Sequence, residues 1–131
     1  MEPSELFPIV SLLSIVTVEF GGHALLKFIT DKEAMPGERF FRAGHAHAGV
    51  LLLLTLVYWL YLSRAGYPDG LQWTLGVVLL AGVLAQPGGF FLHLAVGRAG
   101  GLSPGTALTR AGGLLIAVAL VALAAGLLRE L

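Results

Sequence analysis

The chain has 131 residues, of which 56% are hydrophobic and 12% charged, with no formal net charge and a mean hydropathy of +0.85. This composition excludes an ordinary soluble domain, and the length allows one compact domain, residues 1–131. The absence of cysteine excludes disulfides, iron–sulfur clusters, thiolate zinc sites and covalently attached haem. We therefore expect a domain surrounded by the lipid bilayer, with no indication of nucleic acid as a partner.

Four apolar segments follow one another along the chain, at residues 6–29, 43–64, 71–96 and 105–129. Each is about long enough to cross a ~30 Å hydrocarbon core as a helix, and none alternates apolar and polar residues as a barrel strand does. Backbone groups in lipid must be bonded internally, and short connections make neighbours antiparallel. The sequence predicts an all-α fold, an integral membrane antiparallel four-helix transmembrane bundle. No signal peptide is expected, because the apolar segments continue along the whole chain.

The connections between the segments carry recognisable turn signals. The longest, residues 30–42, is the most polar stretch, and a short interfacial helix is expected to lead from its Pro36-Gly37 turn into the second segment. Residues 65–70 predict a tight turn. In the last connection, residues 97–105, Ser103 or Thr106 is expected to cap the fourth helix, with Pro104 at its first position.

Charged and aromatic residues predict the orientation in the membrane. Most basic residues lie at one end of the predicted bundle: Lys27, Lys32, Arg39, Arg42, Arg98 and Arg110. Because short basic loops stay in the cytoplasm, we expect this end to be cytoplasmic and both termini to be external. An aromatic belt is expected around the turn at the opposite end, from Tyr58, Trp59, Tyr61, Tyr67 and Trp73.

All four histidines fall at the basic end, because consecutive segments run in opposite directions. His23 lies near the end of the first segment, His45 and His47 open the second, and His93 closes the third. Imidazole is costly in lipid and is the commonest metal and haem ligand, so this grouping predicts a cofactor or metal site. A simpler interpretation is that these histidines are polar residues at the membrane interface.

Helical spacing indicates which polar side chains share a face. Glu19 and His23 are four residues apart, and Glu19 lies about 15 Å inside its helix, so we expect the carboxyl group to face the bundle interior. Gln86 and His93, seven residues apart, also share a face. His45 and His47 point in nearly opposite directions, so only one of them can face inward.

The first hypothesis for the site is a b-type haem. His23 and His93 lie at matched depth on the first and third helices, which are diagonal in an up-and-down bundle and could clamp a haem between two imidazoles. Glycine pairs such as Gly21-Gly22 would give room for the macrocycle. The expected cofactor-binding residues are His23, His45, His47, His93, Arg42 and Arg110, the arginines binding propionates.

Two further hypotheses remain open. A non-haem copper, zinc or iron site would use mixed nitrogen and oxygen ligands: Glu19, His23, His45, His47 and His93. Alternatively, the protein is a non-catalytic membrane subunit or a small transporter, in which Glu19 and Gln86 line a polar path and the histidines respond to pH.

The segment Arg42-Ala43-Gly44-His45-Ala46-His47-Ala48-Gly49 resembles that of a group of small, uncharacterised four-span bacterial membrane proteins. The His-x-His at the start of a helix also resembles, more distantly, segments of haem- and copper-containing membrane proteins. That second resemblance implies haem or copper binding at His45 and His47 alone. The expectation is a small redox or metal-handling membrane protein, alone, as a homo-oligomer or within a larger membrane complex, with no enzymatic activity assigned.

Overall fold

The computed structural model describes residues 2–30, 37–98 and 100–131, except the side chains of residues 28 and 29. Every regular element in these ranges is an α-helix, and each helix is long and apolar enough to span a membrane. The predicted four-helix membrane bundle is therefore confirmed. The helices are α1 (Pro3–Thr30), α2 (Glu38–Leu62), α3 (Asp69–Val96) and α4 (Pro104–Arg129).

The helix ends differ from the prediction mainly at α2. This helix begins at Glu38, directly after Gly37 with its left-handed φ of 79°, so the expected interfacial helix is instead the first turn of α2. The rest of that connection, residues 31–36, lies outside the described residues. The predicted start of α4 is confirmed: Ser103 is the N-cap, Pro104 begins the helix, and Thr106 completes the capping box.

The four helices do not close into a square. The most extensive contact joins α3 and α4, followed by the contacts of α2 with α3 and α1 with α2. Helix α1 meets α3 only marginally, and among the described residues it makes no contact with α4. Consequently, α2 and α3 form the centre of the bundle, and α1 and α4 lie at its two edges.

Glycines allow the backbones of α3 and α4 to touch. A Cβ atom added to Gly82 would lie 2.9 Å from the carbonyl oxygen of Gly112, and one added to Gly112 would overlap the backbone nitrogen of Gln86. Two helical turns further along, Gly89 and Gly105 make the same kind of close backbone contact. Small residues at the seven-residue spacing let helices approach closely in lipid, where no hydrophobic driving force acts between them.

A buried polar cluster joins α1 to α2. The Thr55 hydroxyl donates to Ser11 Oγ at 2.9 Å, and the Trp59 indole N–H donates to the same oxygen at 3.1 Å. Ser11 in turn donates to the Phe7 carbonyl at 2.9 Å. Hydrogen bonds between polar side chains are an effective contact between helices in lipid, and this cluster fixes how α1 is rotated against α2.

The aromatic belt predicted around the turn at residues 65–70 is wrong for two of its members. Tyr58 and Trp59 are 1% and 4% exposed, so both are core residues. Tyr58 donates to the Ala119 carbonyl at 3.2 Å, and Trp59 stacks on Phe7 with ring centroids 4.7 Å apart. Their polar groups are satisfied inside the bundle, so they do not need the headgroup region.

Neighbouring glycines of α4 allow a matched test of the α3–α4 contact. We expect Gly112→Ala to destabilise the protein by about 1–3 kcal/mol, because its Cβ would push apart two backbones. Gly113→Ala should be neutral or slightly stabilising, since nothing lies within 4 Å of the added atom. Unfolding in detergent by increasing dodecyl sulfate, followed by helical circular dichroism, measures both. Equal effects of the two substitutions would contradict the packing described.

The polar cluster can be tested at the two serines of α1. Ser11→Ala removes the acceptor of the Trp59 indole N–H, and leaving this buried donor unpaired costs about 1–3 kcal/mol, whereas the Thr55 hydroxyl keeps the Leu52 carbonyl at 2.6 Å. Ser14→Ala is the control. Among the described residues, the Ser14 hydroxyl donates a hydrogen bond only to the carbonyl of Val10, which lies in the same helix. Tryptophan fluorescence during unfolding reports the loss. A Ser14→Ala variant as unstable as Ser11→Ala would show that the cluster has no special role.

Candidate functional site around His93

His93 is the one histidine that the structure buries, with 6% of its surface exposed. It lies one turn before the end of α3, and its Nδ1 is 2.6 Å from Ser103 Oγ, a hydrogen bond whose direction depends on the tautomer. The same oxygen accepts the backbone N–H of Thr106 at 3.3 Å. The ring of Phe40, from the first turn of α2, meets the imidazole edge-on at 4.5 Å. Three helices therefore hold this imidazole.

Two cavities border the His93 ring, and we call them together the His93 pocket. The larger, about 440 Å³, is lined by the start of α2 and the end of α3: Gly37, Glu38, Arg39, Phe40, His93, Leu94, Gly97 and Arg98. The smaller, about 210 Å³, lies towards α4: its lining residues are Phe40, Gly89, Phe90, His93, Thr106, Thr109 and Arg110. Nε2 of His93 makes no hydrogen bond to any described residue, and it is not among the fully buried atoms without a partner, so part of its surface stays accessible.

Basic side chains surround the His93 pocket. Arg39 and Arg98 line the larger cavity, and Arg110 lines the smaller. Among the residues that the structure describes, Glu38 is the one carboxylate on the lining, and it pairs with Arg42 at 3.4 Å. Arg42 was predicted to bind a propionate, but it is 64% exposed and lines neither cavity. The described part of the lining thus combines an imidazole nitrogen with an excess of positive charge.

The other three histidines lie at the same end but face elsewhere. His45 is half-buried, and its ring lies over the glycine pair of α1: an added Cβ would come within 3.1 Å of Nδ1 at Gly21 and 3.3 Å of Nε2 at Gly22. The room that these glycines provide is therefore filled by an imidazole. His47 is exposed, as expected when His45 faces inward, and its Nδ1 is 2.8 Å from the Ala43 carbonyl oxygen.

The prediction that Glu19 and His23 face the bundle interior is wrong. Both are exposed on the outer face of α1, where they line a shallow groove with Val16 and Phe20. The reason is the rotation of α1, which is set by Ser11 and Phe7 in the core. The expected clamp of a haem between His23 and His93 of one chain is wrong for the same reason.

The five predicted metal ligands do not assemble within one chain. No group of three histidine, aspartate or glutamate side chains in residues 2–30, 37–98 and 100–131 is arranged to hold a metal ion. Gln86, which was predicted to share a face of α3 with His93 and to support the site there, is half-buried against α4, where its backbone carbonyl accepts a hydrogen bond from the Thr109 hydroxyl at 3.2 Å. Because Glu19 lies on the far side of α1, the two residues do not line a common polar path.

Sequence reasoning missed the role of Ser103 and Phe40. Ser103 was expected to cap α4, and the structure adds that its hydroxyl holds His93. The contact of Phe40 with the imidazole was not anticipated either. The signal for Ser103 was its position directly before α4, in the turn that follows the helix carrying His93.

Comparison with models of known protein families, with curated proteins and with solved structures gives no match to this chain.

Proposed function

We propose that this integral membrane protein binds a b-type haem in the His93 pocket, with His93 as the ligand that the chain supplies to the iron. The observation that carries the proposal is the state of the His93 ring. One nitrogen is held by Ser103 at 2.6 Å, and the other is accessible beside cavities lined by arginines. A haem-ligating histidine needs this arrangement, because a hydrogen bond at one nitrogen orients the ring and fixes the tautomer for the other.

The residues of the pocket fit the chemistry of the cofactor. The larger cavity, about 440 Å³, lies within the roughly 300–1,000 Å³ range of small-molecule sites. Phe40, Phe90 and Leu94 supply apolar and aromatic walls for a macrocycle. Arg39, Arg98 and Arg110 are the cations that carboxylate groups of the cofactor would meet, replacing Arg42 in that role.

Each residue has a defined task in this proposal. Ser103 Oγ would accept a hydrogen bond from Nδ1–H of His93 while it also accepts one from the Thr106 backbone N–H, as a hydroxyl oxygen with two lone pairs can do. Nε2 is then the deprotonated nitrogen that a metal requires. Phe40 limits access of water to the imidazole from the α2 side. When bound, haem supplies one-electron redox chemistry, which agrees with a small redox protein of the membrane.

Haem binding can be tested with the purified full-length chain from haem-supplied cells. We expect a Soret band and about one haem b per chain by the pyridine haemochromogen assay. His93→Ala should lose the band, and added imidazole should restore it by occupying the vacated space. His23→Ala is the control and should keep the band, because His23 faces away from the pocket.

Two results would contradict the proposal. A colourless wild-type protein under these conditions would exclude haem as the ligand. Loss of haem in both histidine variants would show that the two imidazoles act as a pair, against the geometry described.

The proposed orientation places the His93 pocket at the cytoplasmic face. The chain has no cysteine, so single substitutions Glu33→Cys and Asp69→Cys each create one reactive thiol. We expect an impermeant maleimide added to intact cells to label position 69 and not position 33, because the basic connections stay inside. Labelling of position 33 and not of position 69 would show that the protein has the opposite orientation in the membrane. Position 33 lies outside the described residues, whereas Asp69 is exposed at the start of α3.

A further inference from the structure

Glu19 and His23 form an ionisable pair on the outside of the bundle. Both are exposed, and their neighbours in the groove are the apolar side chains of Val16 and Phe20. Neither makes a hydrogen bond or an ion pair to any residue that the structure describes. The haem site proposed above does not use either of them.

Their depth makes this exposure costly. Glu19 lies 11 residues before the end of α1 at Thr30, about 16 Å along the helix axis. Gly21, two residues after Glu19, lies against the ring of His45, and His45 is itself two turns inside α2. In a hydrocarbon core about 30 Å thick, a carboxyl group at this depth on a lipid-facing surface is strongly disfavoured. Such groups face a partner, a cavity or an ion.

The pair belongs to a regular stripe along α1, which we call the Glu19 stripe. Its members alternate at spacings of three and four residues, and all are exposed: Ile9, Leu12, Val16, Glu19, His23 and Leu26. This is the spacing of the seam between two helices that cross at about +20° in a membrane. The opposite face, with Phe7 and Ser11, is the one that packs on α2 and α3.

We propose that α1 pairs with α1 of a second copy along the Glu19 stripe, and that Glu19 and His23 of the two copies together bind one divalent transition-metal ion. Two copies inserted in the same orientation pair in parallel, so identical positions of the stripe face each other across a two-fold axis. The two Glu19 side chains then lie about one turn below the two His23 side chains. Helical side chains lean towards the N-terminus, which directs His23 towards the Glu19 layer.

Charge balance favours a metal ion between the two copies. Two carboxylates facing each other in lipid would repel strongly, and a divalent cation cancels both charges while the imidazoles bind as neutral ligands. Two nitrogen and two oxygen ligands suit a tetrahedral ion such as Zn²⁺. One chain holds only half of this ligand set, which explains why it contains no complete group of ligands within the described residues.

The position of α1 leaves room for this contact. Helix α1 lies at one edge of the bundle and makes no contact with α4 in the part of the chain that the structure describes. Few of its described side chains are buried, fewer than in any other helix. A second bundle can therefore approach through α1 without displacing a helix of the first.

The pairing can be tested by cross-linking the full-length protein in membranes. Leu12→Cys lies on the Glu19 stripe, and Leu13→Cys is the matched control, one residue further and about 100° around the helix. Both leucines are exposed, at 54% and 65%, so neither variant disturbs the fold. We expect disulfide-linked dimers from Leu12→Cys and few from Leu13→Cys. Equal cross-linking, or none, would overturn the pairing.

The metal site is tested on protein purified without a histidine tag and loaded with Zn²⁺ or Co²⁺. We expect one ion per two chains by mass spectrometry, and visible d–d bands of tetrahedral cobalt. Glu19→Gln and His23→Ala should each abolish binding. Glu5→Gln is the control and should retain it, because this exposed carboxyl group lies near the start of α1.

Further outcomes separate this site from its alternatives. One ion per chain in a monomeric protein, metal retained by Glu19→Gln, or a dimer that binds no metal would each overturn the proposal. Dimers that disappear when the ion is chelated, and that keep the helical circular dichroism of the folded chain, would support it. Loss of haem by His93→Ala leaves this test unaffected, since the two sites share no residue.

Discussion

The candidate site depends on the backbone contact between α3 and α4. A Cβ atom on Gly105 would overlap the carbonyl oxygen of Gly89 and the backbone of His93, so the first turn of α4 lies directly against the last turns of α3. Only at this distance can Ser103, two residues earlier, reach the imidazole of His93. Because lipid provides no hydrophobic force between helices, this close van der Waals contact holds them together. A larger residue at either glycine would separate the helices and leave His93 without its partner.

A second constraint acts at the other edge of the bundle, where a few polar atoms set the rotation of α1. Ser11 accepts hydrogen bonds from Thr55 and Trp59, and this turns one face of α1 towards α2. Glu19 and His23 follow at about 80° and 120° around the helix from Ser11, so both turn outward. Three hydrogen-bonding side chains thus decide where an ionisable pair in a membrane helix lies.

The two proposed sites use the same end of the bundle in different ways. The His93 pocket lies between helices of one chain, and its arginines match a ligand with negative charge. The Glu19 stripe lies on the outside, and its carboxylates match a cation shared by two chains. His45 lies next to the second of these sites, with its ring packed on the glycine pair that precedes His23. In this arrangement His45 is a packing residue, whereas His93 and His23 are the histidines proposed as ligands.

The class of fold, the four helices and most of their ends can be predicted from the amino-acid sequence alone. Length and hydropathy suffice for this, because in lipid every backbone group must be bonded within a helix, and caps such as Ser103-Pro104 are local signals. The antiparallel order of consecutive helices likewise predicts that the four histidines lie at one end of the bundle. The direction in which each helix face points depends instead on contacts between the helices. In a soluble helix an apolar stripe marks the inner face, whereas α1 is apolar on both sides, so hydrophobicity could not show that Ser11 faces inward and Glu19 outward. The partner of His93 was equally undetermined, because it depends on how closely the glycines of α3 and α4 let two backbones approach.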